Sequence, residues 1–153
     1  MKNINILFIL IMSFTTILQG QEKIINLNLS EIKWVGKEIT TKTHYGSLKF
    51  KKGNISIVND LITAGEFIVD MNSLKNEDLS GGSKEYLEKH LRSDDFFGVE
   101  QHPTSTLKIT SVKKVEGEKH LVVGDLKIKG INNQVIFDIV LNAKGATAEL
   151  TFD

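Results

Sequence analysis

Cysteine is absent from the 153 residues of this chain. Its absence excludes thiolate metal sites, covalently attached haem, a cysteine nucleophile and disulfides. It also excludes a lipoprotein anchor, which needs a cysteine to carry the lipid. A chain of this length can bury a core without disulfides, so the composition is compatible with export from a bacterium.

An excess of positive or negative charge is absent as well. Nineteen Lys and Arg residues balance nineteen Asp and Glu residues, so the formal net charge is zero. We therefore expect no nucleic-acid partner, because such binding depends on neutralising phosphates. After residue 20 no apolar run reaches the about 20 residues of a transmembrane helix, and no membrane span is expected in that part of the chain.

Motifs of the common catalytic classes are also missing. No serine lies in a Gly-x-Ser-x-Gly elbow, and neither an HExxH zinc helix nor a complete phosphate loop occurs. A metal-dependent hydrolase stays open as an alternative, because His and carboxylate groups bind zinc. Its candidate residues are His90, Asp94, Asp95, Glu100 and His102. The preferred interpretation is that these side chains cap or pack the end of a helix, with no catalytic role.

The first 20 residues have the pattern of a secretory signal peptide. Lys2 precedes a mostly apolar segment at 4–18, and Gly20 is a small residue at a suitable cleavage position. The sequence thus predicts a signal peptide at 1–20, a single domain at 21–153, and a periplasmic or secreted location. An uncleaved anchor is the alternative, although the apolar segment is shorter than the about 20 residues of a membrane span.

Alternation of apolar and polar residues dominates the rest of the chain. At 48–51 and 135–142, apolar residues recur at every second position, which is the period of a strand with one buried face. A turn is expected at 52–54, where Lys-Gly-Asn separates two such runs. Many short antiparallel strands indicate a barrel or a sandwich, and periodicity alone does not choose between them.

One segment has helical spacing instead. Ser83 is a suitable N-cap and Glu85 suits a first helical turn. Tyr86, Leu87, His90 and Leu91 then fall on one side. The sequence therefore predicts one short helix, at 84–91, lying against the sheet or across the mouth of a barrel.

Five segments occur in the order found in one known family. They are Trp34 in the first strand, His-Tyr-Gly-Ser-Leu at 44–48, Asp-Met-Asn-Ser at 70–73, the segment 90–106 with its Phe pair and the only proline, and Gly-Asp-Leu-Lys-Ile-Lys-Gly-Ile at 124–131. Together they resemble the YceI-like family, with Lys127 at a position where relatives carry threonine. The resemblance covers nearly all of the chain after residue 20, which makes it more specific than any single motif.

This resemblance implies an all-β fold, an antiparallel lipocalin-like β-barrel of about eight strands with one short helix. It also implies a binding protein, without enzymatic activity or cofactor, that sequesters a polyisoprenoid or another fatty-chain lipid in an apolar lumen. A solid barrel with an envelope stress or interaction role is the alternative. The residues predicted to line the lumen are Trp34, Leu48, Phe50, Phe67, Val69, Leu107, Ile109, Leu126, Ile128, Phe137 and Ile139.

The Phe pair after the helix has two interpretations. Phe96 and Phe97 either gate the barrel mouth, and then belong to the ligand-binding residues, or form an apolar plug under a loop. Pairs of this kind more often form such a plug.

The sequence departs from the family at its last residues. Residues 148–153 match the family's Ala-x-Leu-x-x-Asp element, after which relatives continue with an arginine and a closing strand. A barrel without that strand exposes unpaired edges, which promote association. We therefore expect either a truncated copy of the domain or a homodimer whose partner covers the edge.

Overall fold

The computed structural model describes residues 21–37 and 42–150. The predicted signal peptide at 1–20 lies outside the described residues, as do the last three residues of the element at 148–153. In chain order the elements are β1 (Gln21–Ile24), β2 (Glu31–Lys37), β3 (Thr43–Val58), β4 (Leu61–Asn76), α1 (Gly81–Arg92), β5 (Thr104–Glu116), β6 (Lys119–Ile128), β7 (Ile131–Asn142) and β8 (Gly145–Glu149).

The strands form one antiparallel sheet that is curled into a half-barrel. Its order is β1-β3-β4-β5-β6-β7-β8, and β2 pairs with the other half of the long strand β3. Within the described residues, β8 pairs with β7 alone. The expected antiparallel all-β fold with one short helix is confirmed. The homodimer stays a prediction.

Two hairpins reverse through pairs of residues with positive φ. Asn59 and Asp60 (φ 48° and 60°) join β3 to β4, and Lys129 and Gly130 (φ 50° and 75°) join β6 to β7. Such left-handed pairs match the twist of the strands that they connect. The second of these turns sets the register of the β6–β7 hairpin, in which Ile128 lies opposite Ile131.

The turn predicted at 52–54 is wrong, because β3 runs through these residues without reversing. Gly53 is buried opposite Phe67. A Cβ atom at this position would lie 2.6 Å from Cδ1 of Ile25 and 2.9 Å from Cδ1 of Phe67. The glycine therefore serves close packing inside a strand, which the sequence around it does not distinguish from a turn.

Apolar side chains on the inner face of the sheet pack into two clusters. The first cluster lies under the helix and consists of the buried residues Leu48, Val69, Met71, Leu74, Leu91 and Val99. The second consists of Ile55, Ile62, Ile109, Val122, Phe137 and Ile139. Phe50 packs against the first cluster and Phe67 against the second. Their ring centroids are 6.0 Å apart, so the two clusters meet in one core.

Helix α1 extends beyond the predicted segment at both ends and begins at Gly81, with Ser80 as its N-cap. The prediction of Ser83 as the N-cap is wrong, because the two residues before it already belong to the helix. Leu87 and Leu91 pack against the first cluster as expected. Tyr86, placed with them in the prediction, is 76% exposed, because the side chains that face the sheet occupy a narrower stripe of this short helix.

Polar contacts attach the helix to the end of β4. Glu88 Oε1 accepts a hydrogen bond from the Asn76 N–H at 2.8 Å, and Arg92 donates to the carbonyl of Leu74. Arg92 also pairs with Glu88 at 3.5 Å. These bonds connect two buried backbone groups of the sheet with charged side chains of the helix, and such charge-assisted bonds are stronger than neutral ones.

The segment between β4 and α1 is held by a carboxylate, Asp78. Its Oδ2 accepts a hydrogen bond from Nδ1 of His44 at 2.7 Å, and its Oδ1 accepts from the Tyr45 N–H at 2.9 Å. The fully buried Asn76 donates to the same Oδ1 at 2.6 Å. The hydrogen bond from His44, followed by those from Tyr45 and Asn76, lowers the pKa of Asp78 from 3.8 to about 2, against the opposing effect of desolvation.

This lowered pKa predicts a loss of stability in acid. A carboxyl whose pKa is lower in the folded than in the unfolded state stabilises the fold above the unfolded value, and that contribution is lost as the pH falls through the folded value. We expect the free energy of unfolding to decrease between pH 4 and pH 2, and Asp78→Asn to flatten this decrease. Urea unfolding at several pH values measures it. An equally steep decrease in the variant would show that other groups cause the acid sensitivity.

Candidate ligand-binding groove

The inner face of the sheet carries an open groove of about 370 Å³. It lies between the β6–β7 hairpin on one side and the segment after α1 on the other. Most of its lining side chains are apolar, and the exceptions are one acid, one base and one amide. The lining residues are Asp95, Phe96, Phe97, Leu126, Ile128, Lys129, Ile131, Asn133 and Val135.

Strand alternation builds the hairpin wall of the groove. Leu126 and Ile128 lie on the same face of β6 as Val122 of the second cluster, because side chains two apart along a strand share a face. Ile131 and Val135 share the inner face of β7 in the same way. The register places Ile128 opposite Ile131 and Leu126 opposite Asn133. The groove is therefore a continuation of the core face toward the hairpin turn.

The Phe pair forms the opposite wall. The rings of Phe96 and Phe97 meet edge to face, with centroids 4.6 Å apart and an interplanar angle of 81°. Phe97 packs against the first cluster, whereas Phe96 is 45% exposed. One ring is thus anchored in the core and its neighbour stays accessible at the groove. Whether the pair acts as a gate or as a plug stays a prediction.

Several contacts between residues distant in sequence attach this aromatic segment to the hairpin turn. The Lys129 ammonium donates to the carbonyl of Asp94, and the ring of His102 lies against Gly130, where a Cβ would be 3.2 Å from Cε1 of the imidazole. Gly98, with φ of 55°, allows its N–H to reach the carbonyl of Ser93 at 2.8 Å. The two walls of the groove are therefore connected at the end nearest the turn.

The other predicted lumen residues lie in the two clusters and not at the groove. Four predicted residues line the groove: Phe96, Phe97, Leu126 and Ile128. The remaining nine, which belong to or pack against the clusters, are Trp34, Leu48, Phe50, Phe67, Val69, Leu107, Ile109, Phe137 and Ile139. Their mutual packing fills the interior beside the groove. Whether any of them contacts a ligand stays a prediction.

Sequence reasoning missed five of the lining residues: Asp95, Lys129, Ile131, Asn133 and Val135. A signal existed for two of them. Val135 begins the alternating apolar face of β7, and Ile131 ends the Gly-Asp-Leu-Lys-Ile-Lys-Gly-Ile run. Nothing in the sequence indicates that Lys129 forms part of a turn that faces the Phe pair, because that proximity depends on residues more than 30 positions apart.

Two of the residues proposed for a metal-dependent hydrolase, His90 and Asp94, contact groups that are not metal ligands. The His90 ring meets the Phe96 ring edge to face, with centroids 6.0 Å apart, and the Asp94 carboxylate accepts a hydrogen bond from Gln101 at 3.4 Å. Among residues 21–37 and 42–150, no three His, Asp or Glu side chains form a group able to hold a metal ion.

A second, larger depression lies near the last strands. It measures about 710 Å³ and is lined by residues of β6, β7 and β8, among them Ile136, Val140 and Thr147. Lys119 and Asp138 form an ion pair in it, 2.8 Å apart. Ile136, Asp138 and Val140 alternate with the core residues of β7, so this depression opens on the outer face and is separate from the groove.

Comparison with known protein families decides the classification. The model of the YceI-like domain family matches residues 24–153. This chain belongs to the YceI-like family. The UPF0312 protein plu2095 of Photorhabdus laumondii is 30% identical over 126 residues, which cover 82% of this chain and 59% of that protein. Protein YceI of Escherichia coli O157:H7 is 27% identical over 127 residues, which cover 83% of this chain and 60% of that protein.

The chain therefore spans about three fifths of the length of these curated YceI-like relatives. Among solved structures, the YCEI protein of Campylobacter jejuni is similar at 14% identity and a TM-score of 0.45, covering 88% of this chain and 65% of that one. BcnA of Burkholderia cenocepacia is similar at 17% identity and a TM-score of 0.46, covering 78% and 60%.

Membership of the YceI-like family supports a binding or carrier role in general. In the described part of this YceI-like chain, no helix has the length and apolar character needed to cross a membrane.

Proposed function

We propose that this YceI-like protein is an exported carrier that holds the apolar chain of a lipid in the groove between the β6–β7 hairpin and the Phe pair. The main support for the proposal is that the groove is open and has accessible apolar side chains on both walls. Ile131 on the hairpin is 62% exposed and Phe96 on the facing wall is 45% exposed. Covering such surface with an apolar chain is favourable, because each buried CH₂ group contributes about 0.8 kcal/mol.

The polar lining residues suggest how a lipid would be oriented. Asp95 and Asn133 are exposed, and Lys129 is half-buried beside the hairpin turn. A lipid chain needs no polar partner, whereas its head group needs water or hydrogen-bonding groups. The head group is therefore expected near the turn, and the chain is expected along Leu126, Val135 and the Phe pair.

Photocrosslinking tests the location of the chain. A fatty acid that bears a diazirine on its chain is added to the purified full chain, irradiated, and located by peptide mass spectrometry. Labelling is expected in the peptides that contain 95–97 and 126–135. Labelling confined to the outer face of β7 and β8 would overturn the proposed site. Specific labelling is the part that an excess of unlabelled fatty acid abolishes. If no specific labelling is found, the proposed function is wrong.

Export is a separate part of the proposal and has its own measurement. The full chain, with its residues 1–20, is expressed in a Gram-negative bacterium, and the periplasmic and culture fractions are collected. N-terminal sequencing of the recovered protein is expected to begin at or near Gln21, because Gly20 is the small residue at the cleavage position. Recovery of uncleaved protein only in the membrane fraction would favour the anchor alternative.

A further inference from the structure

We propose that His120 forms a pH-sensitive link between two hairpin turns at the end of the sheet opposite the groove. When both ring nitrogens carry a proton, the ring connects the β3–β4 turn to the β5–β6 turn, and loss of one ring proton loosens the β3–β4 turn. His120 lies near the start of β6, whereas the groove residues Leu126 and Ile128 lie near its end. The link is therefore separate from the proposed lipid site.

The His120 side chain is placed in the core. The residue is 1% exposed and lies opposite Ile139 of the second cluster in the β6–β7 ladder. It shares a face of β6 with the completely buried Val122, because side chains two apart along a strand point to the same side. A polar ring in such surroundings needs hydrogen-bond partners, since burying an unpaired polar group is costly.

Both ring nitrogens lie within hydrogen-bond distance of a backbone carbonyl oxygen. Nδ1 is 3.0 Å from the oxygen of Glu118 in the β5–β6 turn, and Nε2 is 3.2 Å from the oxygen of Asp60 in the β3–β4 turn. The ladder between β4 and β5 covers only residues 66–70 of β4 and does not reach the β3–β4 turn. The ring thus connects two turns at a place where the neighbouring strands are not paired.

Two such contacts require two protons on the ring, because a carbonyl oxygen can only accept. A neutral imidazole has one N–H group and one bare nitrogen, whereas the imidazolium has two N–H groups. In the neutral ring, whichever nitrogen lacks a proton directs its lone pair at a carbonyl oxygen, and the two repel each other. The ring then has to turn, which displaces both nitrogens because they belong to one rigid ring. The observed geometry therefore suits the imidazolium.

The other ionisable groups near the ring lie at the surface. The residues that carry them, all exposed, are Asp60, Lys114, Glu116, Glu118 and Lys119. Lys119 is paired with Asp138 of β7. Among residues 21–37 and 42–150, none of these side chains forms an ion pair with His120. The proton that controls the link is therefore the ring's own, and histidine is the side chain whose charge ordinarily changes between about pH 5 and pH 8.

NMR spectroscopy of the unmodified full chain tests the proposal at about pH 5.5 and about pH 8, near the two ends of this range. The ¹⁵N chemical shifts of His120 are expected to show two protonated ring nitrogens at the lower pH and one at the higher pH. Over the same interval, the backbone order parameters of Asn59 and Asp60 are expected to fall from about 0.85, the value of a rigid backbone, toward about 0.6.

The two readouts have to change together. A ring that keeps the same number of protons at both pH values would overturn the proposal. The same conclusion would follow from a ring that loses a proton while the order parameters of Asn59 and Asp60 stay constant.

Matched phenylalanine variants test whether the ring itself holds the turn. His120→Phe keeps a planar ring in the core and removes both donors, so low order parameters at residues 59 and 60 are expected at both pH values. His90→Phe changes an exposed histidine of helix α1 and is expected to keep the pH response of the parent. A rigid β3–β4 turn in folded His120→Phe would overturn the proposal, and the pH series on the unmodified chain decides if this variant does not fold.

Discussion

Replacing Ile128 by glutamate is expected to weaken the binding of an apolar chain at least about a hundredfold. Ile128 is half-buried in the wall of the groove, opposite Ile131. A chain bound over this position would have to desolvate the introduced carboxylate without giving it a partner. Such a desolvation costs on the order of 3 kcal/mol or more, which corresponds to about a hundredfold in Kd. Displacement of a fluorescent fatty acid measures the change.

The matched control is Ile136→Glu on the neighbouring strand. Ile136 is 64% exposed and lies on the outer face of β7, so its replacement by the same residue is expected to leave the Kd within about twofold of the parent value. Circular dichroism and Tm establish that both variants are folded. Equal Kd values for the folded Ile128→Glu variant and the parent would show that the chain does not bind in this groove.

Replacing Gly46 by alanine is expected to lower the free energy of unfolding by about 2–4 kcal/mol. A Cβ at this position would lie 1.8 Å from the carbonyl oxygen of Lys75 and 2.8 Å from Cε2 of Trp34. The oxygen belongs to the paired strand β4 and cannot move without disturbing the ladder. Overpacking alone costs about 1–3 kcal/mol, and displacement of the indole would also break the 3.1 Å bond from Trp34 Nε1 to Lys75, worth about 1 kcal/mol.

Urea unfolding followed by Trp34 fluorescence measures this cost, because the chain has a single tryptophan. Gly82→Ala is the control: this residue lies in helix α1, and an added Cβ would meet no atom within 4 Å. It is expected to stabilise the protein by up to about 1 kcal/mol, the difference in helix propensity between the two residues. A cost below 1 kcal/mol for Gly46→Ala would show that β3 and β4 separate locally without loss of packing.

The family and the strand content could be predicted from the sequence, because both depend on local patterns. Alternation of apolar and polar residues records which face of a strand is buried, and this is visible in any window of a few residues. The motifs at 44–48 and 124–131 contain Gly46 inside β3 and Gly130 in the hairpin turn, two positions where the structure leaves little room for a side chain. Alternation also predicts which side chains of β7 face the core, among them Phe137 and Ile139.

Predictions from local patterns were wrong where the same residue type occurs in two kinds of structure. Gly53 has the sequence surroundings of a turn, yet it lies inside β3 because Ile25 and Phe67 leave no room for a Cβ. Ser83 has the chemistry of an N-cap, but the helix begins at Gly81. The residues next to Gly53 do not reveal its packing against Ile25 and Phe67. The residues next to Ser83 do not reveal that the helix already begins at Gly81.

The family, the antiparallel strands and a set of inward-facing apolar residues follow from the order of the amino acids. The division of that set between a packed core and an accessible groove follows from the three-dimensional arrangement of the chain. Leu126 and Phe137 look alike as inward-facing apolar residues in neighbouring strands. One lines the groove and the other is buried in a cluster. The difference arises because the segment at 94–102 reaches the β6–β7 turn, and a contact between residues so distant along the chain leaves no local pattern to read.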